Sequence, residues 1–201
     1  MTAPAHAHAE TTKAYTTPGT YTFTVPTGVS RIHVALTGGG GGGGFATANP
    51  GSYGDGGGGG GATANCTLAV RPGDLLTITV GTGGDRSPVA AAPGRKTTIS
   101  YPNAGGASAS GGYGGHGRRG GLGGSGTVCD GTHVTLAVGE PGANGEGGLY
   151  GAAGAGGAPG AGVHRACPAG TGTGGKGRDA QFAPNRTDRS PGKPGCAVLT
   201  Y

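Results

Sequence analysis

The chain lacks tryptophan altogether and has one methionine and three phenylalanines in 201 residues, with hydrophobic residues of every kind at 33%. A conventional apolar core is therefore small, and cohesion must come partly from elsewhere. Charge is scarce too, at 11%. The nine carboxylates are dispersed, which leaves no paired acids and no Ser/His/Asp arrangement for catalysis. No apolar stretch approaches the roughly 20 residues that cross a bilayer as a helix. No segment carries a 3.6-residue apolar period, and glycine at this density opposes α-helix. Residues 1–17, MTAPAHAHAETTKAYTT, have no apolar h-region of a secretory signal and read as a flexible polar arm.

What is abundant is glycine. With 53 glycines and 14 prolines, the two make up a third of the chain, against ordinary usage of roughly 7% and 5%. Such a composition commonly means disorder or collagen. Here, however, the glycines stand in register. Residues 111–126 read GGY-GGH-GRR-GGL-GGS-G, and residues 139–162 read GEP-GAN-GEG-GLY-GAA-GAG-GAP-GAG. Collagen needs more proline than Pro141 and Pro159 supply in the longer run. A strict period of three matches the extended polyproline-II-type helix, which has three residues per turn and sets every third side chain on one edge. A glycine edge lets two such helices approach until backbone groups pair between them. Polyglycine helices are expected at about 38–44, 56–61, 111–126 and 139–162. In 111–126 the unbroken register of Gly111, Gly114, Gly117, Gly120, Gly123 and Gly126 is the expected packed edge. Gly115 lies in the register that Arg118 interrupts, so it should tolerate a larger side chain.

Period-two alternation marks strands between these runs. Tyr21, Phe23 and Val25 share a face, as do Ile32, Val34 and Leu36, with Pro26-Thr27-Gly28 turning between them. Cys66, Leu68 and Val70 lead through the Pro72-Gly73 turn to Leu76, Ile78 and Val80. The β elements fall at about 20–37, 62–80, 96–101, 132–138 and 196–201, while 163–195 reads as irregular and basic. The expected fold is all-β or irregular: a small antiparallel β-sandwich anchoring a bundle of polyglycine-II helices, in one domain over 18–201, with essentially no α-helix.

Cys66, Cys129, Cys167 and Cys196 form an even set in a chain short of core, which implies two disulfides and an extracellular or virion-surface setting. Three connectivities remain open. No Cys-x-x-Cys or Cys/His spacing suggests zinc; His6-Ala7-His8 lacks supporting groups, and neither a metal nor a cofactor is implied. Gly170–Gly177, GTGTGGKG, approaches a phosphate loop but ends on glycine where that loop needs a magnesium-binding hydroxyl. Asn65-Cys66-Thr67 and Asn185-Arg186-Thr187 match the glycosylation pattern.

The formal charge is +5, and residues 86–201 carry eleven Lys/Arg against five Asp/Glu. This balance suits an anionic partner or a solvated surface. Arg118-Arg119-Gly120-Gly121 is a single Arg-Gly cluster with few aromatics around it, so side-chain display from a polyglycine helix is favoured over RNA binding. The candidate recognition residues are Tyr113, His116, Arg118 and Arg119 on that helix, and Arg165, Lys176 and Arg178 in the basic stretch.

The order FTVPTGVSRIHVALTGGGGGGG, GGGGGGATANCTLAVRPGDLLTITVGTGG, glycine triplets and a terminal PGCAVLTY resembles the glycine-rich domains of phage tail-fibre tip adhesins and related bacterial surface proteins. It is also similar to the glycine-rich region of certain receptor tyrosine kinase ectodomains. The likeness covers about residues 18–201. It implies parallel polyglycine-II helices with short β elements, and loops between helices that carry receptor specificity. The four cysteines and residues 163–195 depart from what the tail adhesins lead one to expect. The implied function is a non-enzymatic virion or surface protein, at a phage tail or fibre tip. Its partners would be a host cell-surface receptor or glycan and other virion tail or coat proteins, with a homo-oligomer possible and no nucleic acid or membrane span. The alternative is a structural protein that assembles into a fibre or coat. An ice-binding role ranks last, because the triplets lack a repeated threonine.

Overall fold

A computed structural model describes residues 10–44, 52–86, 91–101, 105–184 and 188–201. Their ten strands form two antiparallel five-stranded sheets. One runs β1 (Thr12–Tyr15), β10 (Cys196–Thr200), β3 (Arg31–Thr37), β4 (Thr63–Ala69), β9 (Thr132–Ala137). The other runs β2 (Gly19–Thr24), β5 (Leu75–Val80), β6 (Thr97–Ser100), β7 (Gly106–Ala109), β8 (Thr127–Cys129). The alternating faces read from the sequence meet between the sheets. Ile32, Val34, Leu36, Leu68, Leu199 and Ala197 pack against Leu76, Ile78, Val80, Ile99 and Phe23, all buried. Gly28 and Gly73 take φ of +85° and +87°, which explains glycine in those two turns.

β1 corrects the arm expected over residues 1–17. Thr12, Lys13, Ala14 and Tyr15 pair with Thr200, Leu199, Val198 and Ala197. Tyr15 stacks at 5.0 Å from Tyr21 and is buried, a stronger anchor than a four-residue polar run suggests. The first nine residues lie outside those described. β7 and β8 were also not foreseen: Gly-Ala-Ser-Ala and a three-residue strand carry too little apolar pattern to register.

Strands run on directly into glycine segments. β3 leads into 38–44, 54–62 leads into β4, β7 leads into 110–116 and 119–126 leads into β8. Pairing beyond the sandwich repeats every third residue. The N–H groups of Gly54, Gly57 and Gly60 donate to Glu146, Ala143 and Glu140. Those of Asp55, Gly58 and Gly61 donate to Arg178, Gly175 and Gly172, and those of Gly56, Gly59 and Ala62 to Gly117, Tyr113 and Ser110. Three donor edges at three residues per turn are the mark of polyglycine-type backbone. The same segment's carbonyls accept from 38–44, 119–126 and 151–160. Residues 54–62 are thus ringed by six segments.

Residues 38–44 are ringed likewise, by 54–62, 91–95, 190–193, 112–115, 172–175 and Gly84. Among the described residues the bundle is a slab of three layers. Segments 81–85, 38–44, 54–62 and 139–147 form the middle layer. Segments 91–95, 110–116 and 119–126 cover one face, and 190–195, 172–178 and 151–161 the other. Neighbours run both ways: 38–44 is antiparallel to 54–62 and parallel to 112–115. The resemblance implied parallel helices, but short hairpin connections alternate the direction.

Glycine usage follows position in the slab. In the two enclosed segments, a Cβ on any of residues 38–44 or 56–61 would overlap backbone of another segment. The face-centre segment 110–116 keeps two glycine registers, with Tyr113 pointing out and 56% exposed. The rim segment 151–160 keeps one buried register, Gly151, Gly154, Gly157 and Gly160, with Ala152, Ala155 and Ala158 exposed.

Four expectations are corrected. The 111–126 helix folds back on itself at residues 116–119, where His116 and Arg119 exchange N–H···O bonds of 2.9 and 3.0 Å. The 139–162 helix folds back at 147–150, with Gly148 at φ +88°. The stretch 163–195 is not irregular throughout, since 172–178 and 190–195 are bundle segments. The predicted contrast in the first run also reverses. Gly117 sits in the turn at φ +53°, with nothing among the described residues nearer a Cβ than the Tyr53 hydroxyl at 4.0 Å. Gly115 would place a Cβ 2.5 Å from the Gly56 carbonyl oxygen and 2.9 Å from the Gly44 nitrogen. Gly115→Val should therefore cost more in thermal melts than Gly117→Asn, whose side chain tolerates the left-handed region. Equal losses would contradict the placement of the turn.

The cysteines pair Cys66–Cys129 and Cys167–Cys196. The first joins β4 to β8 across the sandwich. The second ties the 162–170 connection to the start of β10.

Candidate recognition surface at the distal turns

The sandwich occupies one end of the slab, and the turns 116–119, 147–150 and 178–184 lie at the other. Glycine permits the second turn: Gly148 has φ +88° and its carbonyl accepts from Gly151 N–H at 3.0 Å. The turn then lifts Leu149 and Tyr150 out of the slab, where they are 48% and 72% exposed. Phe182 donates its N–H to the Leu149 carbonyl at 3.0 Å, and its ring centroid lies 6.2 Å from that of Tyr150. Ala180 N–H bonds Gly151 O at 3.0 Å, so the 178–184 connection is laid along the 147–150 turn by its backbone. Three large apolar side chains exposed together in so small-cored a chain are out of keeping with a solvated end.

The basic turn adjoins this cluster. Gly145 N–H donates to the Arg118 carbonyl at 2.8 Å, while Arg118 Nε donates to the Gly145 carbonyl at 3.3 Å. The Arg118 guanidinium lies along Gly147, at the foot of the aromatic turn. Arg119 and His116 are exposed beside it. Glu146, exposed on the same turn, accepts from Ala152 N–H at 3.1 Å.

Lys176 and Arg178 play a different part. Arg178 Nε lies 3.3 Å from Asp55 Oδ2, and Asp55 is fully buried. Asp55 is the one charged residue within the enclosed 54–62 segment, and a buried carboxylate without a cation would be costly. Lys176 Nζ lies 3.4 Å from Asp179 Oδ2, and Asp179 Oδ1 accepts from Ala153 N–H at 2.7 Å. Both cations serve the bundle's distal end.

The predicted residues do not form one cluster. Arg118, Arg119 and His116 meet at the distal turn. Tyr113 stands on the slab face, level with Leu122 on the next segment, to whose carbonyl it donates at 2.8 Å. Arg165 is at the sandwich end, two residues from the Cys167 bridge. Its neighbour His164 has its pKa lowered, by burial first and then by Arg165 and His33. Neutral His164 fits its bond, in which Nδ1 accepts from Ala166 N–H at 3.1 Å. Leu149, Tyr150 and Phe182 were missed. The available signal was Leu149-Tyr150, two bulky apolar residues side by side in an Ala/Gly triplet run.

A two-sheet sandwich extended into a hydrogen-bonded glycine slab defines a glycine-rich all-β domain. The family model described as glycine-rich domain matches residues 16–201, and the chain belongs to that family. No curated protein matches it.

Proposed function

We propose that the chain is a non-enzymatic recognition protein of a virion or cell surface, a tail- or fibre-tip adhesin that binds a host receptor or glycan with its distal turns. The observation that carries this reading is the exposed Leu149–Tyr150–Phe182 cluster bordered by Arg118 and Arg119, fixed at the end of a slab whose two central segments are bonded on every side. Aromatic faces and guanidinium groups held on a rigid support are the usual anchors of binding surfaces, because little ordering remains to be done on contact. The two disulfides suit an oxidising setting.

The test measures binding of purified protein to bacterial cells and to their extracted surface glycan. Tyr150→Ala with Phe182→Ala, and separately Arg118→Ala with Arg119→Ala, should each weaken binding at least tenfold while the melting temperature holds. Unchanged binding in both pairs would remove the distal turns from recognition.

One observation favours the assembly alternative: β9 is an edge strand on which Val134 and Leu136 are 43% and 44% exposed, followed directly by Val138 at 63%. Light scattering separates the two readings. A species of fixed mass across concentration supports display, and a polydisperse high-mass species supports assembly.

A further inference from the structure

At the sandwich end, opposite the distal turns, a cavity of about 630 Å³ opens between Arg31, Thr67, Tyr101, Asp130, Thr132 and His133. Its size is that of sites for small ligands, which run to roughly 300–1,000 Å³. Several features fix its walls. The Cys66–Cys129 bridge pins Thr67 on one wall to Asp130 on the other, since each is the next residue along the chain. Asp130 is held again by the backbone of Gly106: its Oδ2 accepts from Gly106 N–H at 2.8 Å, and its own N–H donates to Gly106 O at 2.9 Å.

The strand on the far wall is distorted where it meets the cavity. Asn65 pairs with Thr135 and Thr67 with Thr132, so β9 spends three steps against two on β4. The surplus is a β-bulge. At it stands His133, the one non-glycine residue with positive φ among the described residues, at +52°. Bulges redirect a side chain, and residues kept in this backbone region concentrate at ligand sites. His133 lines the cavity, as does Arg31 at the start of β3.

We propose that this cavity binds a carboxylate-bearing sugar. The lining mixes apolar surface with directional groups: Arg31 and His133 to receive a carboxylate, threonine hydroxyls and the Asp130 carboxylate for sugar hydroxyls, and the Tyr101 ring for a pyranose face. Among the described residues no large aliphatic side chain lines it, which disfavours a lipid or other apolar ligand. Arg31 supplies the planar fork that matches a carboxylate, so acidic sugars gain over neutral ones of the same shape. The site is independent of the distal turns and stands or falls without them.

The test titrates the intact, disulfide-closed protein with a galacturonic acid disaccharide, and in parallel with the corresponding neutral galactose disaccharide, following backbone amide shifts. Saturable shifts are expected at Arg31, Thr67, Asp130 and His133, with the acidic sugar binding at least tenfold more tightly. Arg31→Gln should remove that preference. His133→Gly, which keeps the positive φ without strain, should weaken binding severalfold with the melting temperature unchanged. Absence of saturable shifts, equal binding of the two sugars, or shifts unaffected by Arg31→Gln would each overturn the proposal.

Discussion

Gly58→Ala should prevent the chain from folding. Gly58 sits in the middle of the 54–62 segment, where its N–H donates to Gly175 and its carbonyl accepts from Gly157, both at 2.8 Å. A single methyl group there would be driven into the carbonyl of Gly41 on the adjoining enclosed segment. That neighbour cannot retreat, because it is ringed by segments of its own. Relief requires the two central segments to part, which strips the bonds from Gly38, Gly41 and Gly44 to Ala62, Gly59 and Gly56. Each lost bond is worth about 0.5–1.5 kcal/mol, and more where a buried amide goes unpaired. Together with the overlap, the loss should consume most of a stability that for natural domains is about 5–15 kcal/mol. Ala155→Val, at an exposed position on the rim segment, adds a larger side chain and should change stability by less than about 0.5 kcal/mol. If Gly58→Ala melted like the native protein, the enclosed position of 54–62 would be wrong.

Removing the Cys66–Cys129 bridge should be the next largest effect. The bridge closes a span of 63 residues, and the loop-entropy model gives about 4 kcal/mol for such a cross-link. Cys167–Cys196 closes 29 residues and should be worth somewhat less by the same model. Location widens the difference. Each bridge has one fully buried and one partly buried cysteine, but the first joins the main core between the sheets, whereas the second adjoins the smaller cluster of Ala35, Cys196 and Val198. The Cys66→Ala/Cys129→Ala variant should melt roughly 10 °C lower, using the usual conversion for chains of this length. The Cys167→Ala/Cys196→Ala variant should melt at an intermediate temperature. A larger loss from the second pair would contradict the view that the core bridge is the main covalent brace.

The sandwich was legible in the sequence because its strands alternate clearly. Tyr21, Phe23 and Val25, or Leu76, Ile78 and Val80, leave little choice of inward face. The two enclosed glycine segments were legible for a related reason: a residue surrounded on three edges has no direction left for a side chain. The hairpins inside the triplet runs were not read, because Gly117 and Gly148 preserve the period of three while serving as turns. Length could have exposed them. At about 3.1 Å per residue, a run of 24 residues spans roughly 74 Å, whereas the 38–44 run spans about 22 Å. The longer runs must therefore double back to keep their glycine edges covered. Segments 91–95 and 190–195 carry too few glycines, and 81–85 is too short, to be recognised without the neighbours that use them. Cysteine pairing and the bulge at His133 depend on strand order and cross-strand register, which local sequence does not encode.

The most direct test of the slab is native-state amide hydrogen exchange measured residue by residue. In 54–62 every N–H donates to a neighbouring segment, so all nine amides should be strongly protected without a break. In 151–160 the amides of Gly154, Gly157 and Gly160 donate to Asp55, Gly58 and Gly61 and should be protected. Those of Ala155, Gly156 and Ala158, which bond no backbone carbonyl among the described residues, should exchange quickly. Continuous protection in the first segment with period-three protection in the second is the predicted result. An alternating, period-two pattern in either segment, or fast exchange throughout 54–62, would contradict the glycine slab.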